Sequence, residues 1–98
     1  MNDFHEYARR DLRLTLLKSL SMQPGFSGNE NILQHEAAAV GLHRSREVIR
    51  TELRFLESIG AVKVKEAGSV MIGILTSRGA DHVKGLLTLD GVNAPSPE

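Results

Sequence analysis

The chain has 98 residues, a length that suits one domain, and its 41% hydrophobic and 24% charged residues are typical of a globular protein. Twelve Lys and Arg residues balance twelve Asp and Glu residues, which argues against nucleic-acid binding through bulk positive charge. The absence of cysteine excludes disulfides and thiolate metal sites. No apolar run approaches the ~20 residues of a membrane span, and the N-terminus lacks a signal-like apolar core. We therefore expect a cytoplasmic protein without a membrane partner.

The first predicted element is a helix from Asp3 to Ser21, which Pro24 would keep from continuing. Its predicted apolar stripe comprises Phe4, Tyr7, Ala8, Leu12, Leu16, Leu17 and Leu20. Its predicted polar face carries Arg9, Arg10, Asp11, Arg13 and Lys18.

A second helix is predicted to begin at Ser27, with Glu30 closing a capping box three residues later. Gly41 is placed to end this helix in the left-handed conformation. The residues expected on its buried side are Ile32, Leu33, Ala37 and Val40.

The third predicted helix follows a short turn, Gly41–Arg44, and runs from an N-cap at Ser45 to about Ile59. At 100° per residue, one side holds Ile49, Glu52, Leu53, Phe55, Leu56 and Ile59. The other side holds Arg46, Glu47, Arg50, Thr51, Arg54 and Glu57.

Beyond Gly60 the apolar period changes to two, which predicts a β-hairpin with a turn at Glu66–Ser69. Thr76 is a candidate cap for a fourth helix, Ser77 to about Leu87, in which Gly79 and Gly85 indicate close packing or an early end. We expect one domain over residues 1–89, followed by an extended or disordered tail over 90–98.

This order predicts an α+β, mostly helical fold: a winged helix-turn-helix with three helices, a β-hairpin wing and a short C-terminal helix. The second and third helices are joined by a few residues with glycine at the joint, as in a helix-turn-helix pair. The hairpin follows the third helix directly, where a wing belongs.

Arginines at positions 46, 50 and 54 form one ridge on the third helix. Arginine suits a recognition helix because its planar guanidinium can donate to phosphates and to guanine. The predicted DNA-binding residues are Arg44, Ser45, Arg46, Arg50, Thr51, Arg54, Lys63 and Lys65.

Other interpretations of the same residues stay open. Glu47 and Glu57 are spaced to pair with the arginines on a solvated helix face. Lys63 and Lys65 equally suit an edge strand protected from pairing with other chains.

No motif predicts a catalytic or metal site, so we expect neither an enzyme nor a bound cofactor. The histidines at positions 5, 35, 43 and 82 lack ligand spacing, and we expect them on the surface.

Four segments carry a family resemblance: Pro24–Glu30 with the following Ile32-Leu33-Gln34, then Ser45–Leu53, Leu75–Gly85 and Gly91–Pro97. In this order they resemble segments of small winged-helix proteins of Mu-like phages and prophages, which are often labelled ArsR-type regulators. The resemblance implies a winged-helix fold and a phage or prophage origin, hence a host cytoplasm. Asn93-Ala94 stands where the pattern has Lys-Arg, and His82 interrupts another segment. The absence of cysteine excludes metal sensing through recognition-helix thiolates.

We therefore predict a DNA-binding transcription regulator that acts as a homodimer on double-stranded DNA, because one recognition helix reads only a few base pairs. The first and fourth helices are the expected dimer surfaces. The alternative is an interaction or assembly module that binds a phage or host protein. A further alternative is a dimer whose arginines are engaged by Glu47 and Glu57.

Overall fold

The structure is a computed structural model that describes residues 3–96, so Met1, Asn2 and the last two residues of the predicted tail lie outside it. The described residues form an α+β fold with four α-helices and a three-stranded antiparallel sheet. The helices are α1 (Asp3–Ser21), α2 (Glu30–Ala39), α3 (Arg46–Ser58) and α4 (Ser77–Val83). The strands are β1 (Ser27–Asn29), β2 (Val62–Ala67) and β3 (Val70–Leu75), and a 3-10 turn at Pro24–Phe26 precedes β1.

The sheet has the order β1-β3-β2, which places the predicted hairpin beside a strand that the sequence did not predict. Ser27 pairs with Ile74 in β3, so its predicted role as the N-cap of α2 is wrong. The cap is Asn29, whose side-chain oxygen accepts from the Ile32 N–H at 2.9 Å. Because Ser27, Gly28 and Asn29 pair with β3, they do not form the predicted capping box.

The core is formed by the leucines of α1 packed with the inner faces of α2, α3 and the sheet. The predicted bounds of α1 are confirmed, but its first two turns leave the core, with Phe4 72% and Tyr7 55% exposed. On α2, Leu33 and Ala37 are buried as predicted, whereas Ile32 and Val40 are exposed. Apolar periodicity identified the helices correctly but overestimated how far the core covers them.

The connection from α2 to α3 follows the predicted local signals. Gly41 has a φ of 90°, and Leu42 donates its N–H to the Ala37 carbonyl at 2.9 Å, which ends α2 as expected. Ser45 caps α3 by accepting from the Val48 N–H at 3.2 Å. The predicted signals for the end of α2 and for the start of α3 are therefore both confirmed.

Two glycines determine the position and length of α4. A Cβ at Gly79 would clash with the carbonyl oxygen of Ala61, which confirms the predicted close packing. Gly85, with a φ of 78°, follows the end of α4 at Val83, so the helix is shorter than the predicted Ser77–Leu87.

The described part of the tail, residues 90–96, has no helix or strand, yet it packs on the helices. Val92 belongs to the core, and Asn93 donates its N–H to the Arg10 carbonyl at 3.2 Å. His82, expected on the surface, is fully buried beneath this segment. Its Nδ1 accepts from the Leu89 N–H at 3.2 Å, so its Nε2–H donates to the Asn93 carbonyl at 2.8 Å. The surface prediction for His82 is therefore wrong, because the backbone of Leu89 and of Asn93 satisfies both ring nitrogens.

Candidate nucleic-acid interface

The predicted arginine ridge lies along the seam between α3 and the hairpin. Arg46, Arg50 and Arg54 all form ion pairs there, with carboxylates on α2, α3 and β2. Their side chains stay 52%, 32% and 49% exposed, respectively. The ridge is thus accessible, but it does not present bare positive charge.

Glu30, the first residue of α2, is the buried partner of this ridge. Its Oε1 accepts from Arg50 and from the Met71 N–H, each at 2.6 Å. Arg46 Nε lies 3.0 Å from Oε2, in an ion pair whose angles fall outside hydrogen-bond geometry. Burial by itself raises the pKa of Glu30, but the Met71 N–H and the two arginines outweigh it, so the pKa lies below the ordinary value of 4.5.

Glu66 on the hairpin is the exposed partner of the ridge. Its Oε2 lies 2.8 Å from Arg54 NH2, and its Oε1 lies 3.9 Å from Arg50 NH2. Arg54 NH1 also lies 3.0 Å from Glu57. Glu57 was one of the two carboxylates expected to engage the arginines; the other, Glu47, pairs with none of the three. Three arginines therefore face three carboxylates, and the seam is electrically neutral.

Of the remaining predicted residues of α3 and its turn, Arg44 and Thr51 line a groove between α1 and α3 that is separate from the ridge. Ser45 and Thr51 are exposed, and Arg44 is half-buried. The Arg44 carbonyl accepts from Gln34 at 2.8 Å, and its guanidinium donates to the His43 carbonyl at 3.1 Å. Among residues 3–96, Arg44 forms no ion pair with a carboxylate.

Lys63 and Lys65 lie on a different surface from the ridge. They pair with Ile74 and Ile72 in the sheet register, and they share one face of β2 because successive residues of a strand point to opposite faces. Glu66 is on the face turned toward α3, so the lysines are on the other face. The predicted basic surface is consequently divided between two sides of the hairpin.

A second ion pair fixes the opposite side of α3. Arg13, predicted on the polar face of α1, is only 8% exposed, and its Nε lies 2.6 Å from Glu52 Oε1. The same guanidinium stacks 3.7 Å from the Phe55 ring centroid and donates to the Gly91 carbonyl at 2.8 Å. The sequence signal for this ion pair was Glu52, which lies on the predicted apolar side of α3, because a buried carboxylate requires a partner.

Residues 3–96 contain no group of three or more His, Cys, Asp or Glu residues placed to hold a metal ion. No helix in this range has both the length and the apolar character required to cross a bilayer.

The protein is thus a small α+β protein whose candidate site is an arginine–carboxylate seam between a helix and a hairpin. It belongs to the family of a phage Mu protein, "Uncharacterized protein gp26" of Escherichia phage Mu, with 37% identity over 87 residues that span 89% of this chain and 90% of the relative. An "Uncharacterized protein" of Haemophilus influenzae is 32% identical over 76 residues, or 76% of this chain and 74% of that protein. The predicted relation to Mu-like phages is confirmed. No family model and no solved structure matches the chain.

Proposed function

We propose that this protein is a winged helix-turn-helix protein that binds double-stranded DNA with α3 as its recognition helix. The order of elements supports this assignment, because α2 and α3 are consecutive helices joined by residues 40–45 and the β2–β3 hairpin follows α3. The phage relationship supports a role in regulating phage or prophage genes.

The observation that carries the proposal is the half-exposed row of guanidiniums on α3. Arg46 and Arg54 lie within reach of solvent, at 52% and 49% exposure, and Thr51 is exposed on the same helix. A helix fits the major groove of B-DNA, where arginine can donate to guanine or to flanking phosphates. Arg54 pairs with Glu57 and Glu66, which are themselves exposed. Exposed ion pairs contribute little to stability, so Arg54 can exchange a carboxylate for a DNA acceptor at small cost.

The test is a fluorescence anisotropy titration of phage intergenic duplexes at low salt. Arg54→Gln should weaken binding by about tenfold, as expected for loss of a base or phosphate contact. Lys18→Gln is the matched control, because this exposed lysine lies in the groove between α1 and α2. Arg46→Gln and Arg50→Gln are unsuitable because both arginines pair with the buried Glu30. Absence of binding by the wild type, or equal effects of Arg54→Gln and Lys18→Gln, would overturn the proposal.

A homodimer follows from the same proposal, since two recognition helices about 34 Å apart would read successive major grooves. Sedimentation equilibrium with and without a duplex containing two half-sites should give a dimer on the DNA. A single protomer per duplex at saturation would contradict the dimer, while leaving DNA binding intact.

A second candidate function is protein binding within a phage assembly. The neutral seam favours it, as do Phe4 and Tyr7, which are exposed at the start of α1. In that case Phe4→Ser with Tyr7→Ser would abolish co-purification of a defined phage or host partner. The wild type would bind no duplex at low salt.

A further inference from the structure

We propose that Arg50 and Arg54 form a phosphate-binding pair whose oxyanion position is occupied, in the free protein, by the carboxylate of Glu66. The phosphate in question belongs to the backbone of duplex DNA, so this inference rests on the function proposed above. Glu66 then acts as an internal substitute for a DNA phosphate and lowers the affinity of the protein for nucleic acid.

The two oxygens of Glu66 are spread across two guanidiniums, one toward each arginine. Oε2 lies 2.8 Å from Arg54 NH2 and Oε1 lies 3.9 Å from Arg50 NH2. A phosphate presents two oxygens in the same way, and arginine pairs bind both groups through charge-assisted hydrogen bonds. The three side chains are 32% to 49% exposed, so a phosphate can approach from solvent.

Glu30 and Glu66 have different roles because their burial differs. Glu30 has no exposed side-chain surface and holds Arg50 through NH1, so Arg50 NH2 is left facing Glu66. Glu30 is thus a positioning residue that anchors Arg50 from below. Glu66 is 44% exposed and sits two residues before the hairpin glycine Gly68, so it can move away without disturbing the core.

Glu66→Gln should therefore tighten duplex binding. Each added phosphate contact steepens the dependence of the logarithm of the association constant on the logarithm of salt concentration by about 0.9. That slope corresponds to an association constant about eightfold higher at about 0.1 M salt than at about 1 M. We expect a gain of that size and a salt slope steeper by about 0.9. Glu36→Gln is the control, since it changes the net charge equally from the groove between α1 and α2. Equal gains in the two variants would show that net charge alone is responsible and overturn the proposal.

A second measurement uses inorganic phosphate and no DNA. In Glu66→Gln, the Nε–H resonances of Arg50 and Arg54 should shift saturably on titration with phosphate at constant ionic strength. In the wild type the midpoint should be several-fold higher, and Arg54→Gln in the Glu66→Gln background should weaken the phosphate response of the Arg50 resonance. Identical phosphate midpoints for wild type and Glu66→Gln would overturn the proposal. Phosphate binding by Glu66→Gln without duplex binding by any variant would support the anion pair and overturn the DNA-binding function.

Discussion

The buried carboxylate of Glu30 accepts a 2.6 Å hydrogen bond from Arg50, which joins the first residue of α2 to the middle of α3. The same oxygen accepts from the Met71 N–H in β3 at 2.6 Å. One side chain therefore fixes the relative positions of the two helices and the sheet.

Glu30→Gln should destabilise the fold by about 3 kcal/mol, because it removes the charge that a buried ion pair requires. Urea unfolding measures the change. Glu36→Gln on the same helix is the control, since Glu36 is half-buried and outside the seam. A loss below about 1 kcal/mol, within the usual range of surface substitutions, would contradict the structural role of Glu30.

Acid should weaken the fold through the same residue. The folded-state pKa of Glu30 lies below 4.5, so the unfolded chain takes up its proton first as the pH falls. The stabilisation from Glu30 is therefore complete above the unfolded pKa and is lost as the pH falls through 4.5 toward the folded pKa. Urea midpoints between pH 7 and pH 3 should fall less steeply in Glu30→Gln than in Glu36→Gln. Parallel pH profiles for the two variants would refute this assignment.

Removing one member of the Arg13–Glu52 pair should destabilise the fold much more than replacing both members with apolar residues. Arg13→Met or Glu52→Leu alone should cost about 3–5 kcal/mol, because each leaves an unpaired buried charge. The double variant should recover most of that loss, since apolar side chains of similar size can fill the same space. A double-mutant cycle by urea unfolding measures the coupling, and additive losses would show that the two charges do not depend on each other.

Gly79→Ala should destabilise the protein by about 1–3 kcal/mol, as expected for overpacking. The added Cβ would meet the Ala61 carbonyl oxygen and Leu75, so α4 would have to move away from the sheet. Ser77→Ala, at an exposed position of the same helix, is the comparison variant in thermal unfolding. Equal melting temperatures for the two variants would rule out this close approach.

The helices and the hairpin were predictable because their signals are local. Ser45 caps α3 through a residue three positions away, and Gly41 ends α2 through its own backbone conformation. The strand β1 was not predictable in this way, because Ser27–Asn29 pairs with residues more than forty positions later. Its polar and glycine residues resemble a helix start, and the pairing with β3 prevailed over that local preference.

The sequence by itself determined which residues form the arginine ridge, since helical spacing places positions 46, 50 and 54 on one side of α3. Only the tertiary structure decided what that ridge faces. Glu30 lies 20 residues from Arg50 and 41 from Met71, and Glu66 reaches α3 only because the hairpin folds back along it. Ionic partners at such separations are chosen by packing of the whole core, which local periodicity does not encode. The same physics buried Arg13 and His82 and left the seam neutral.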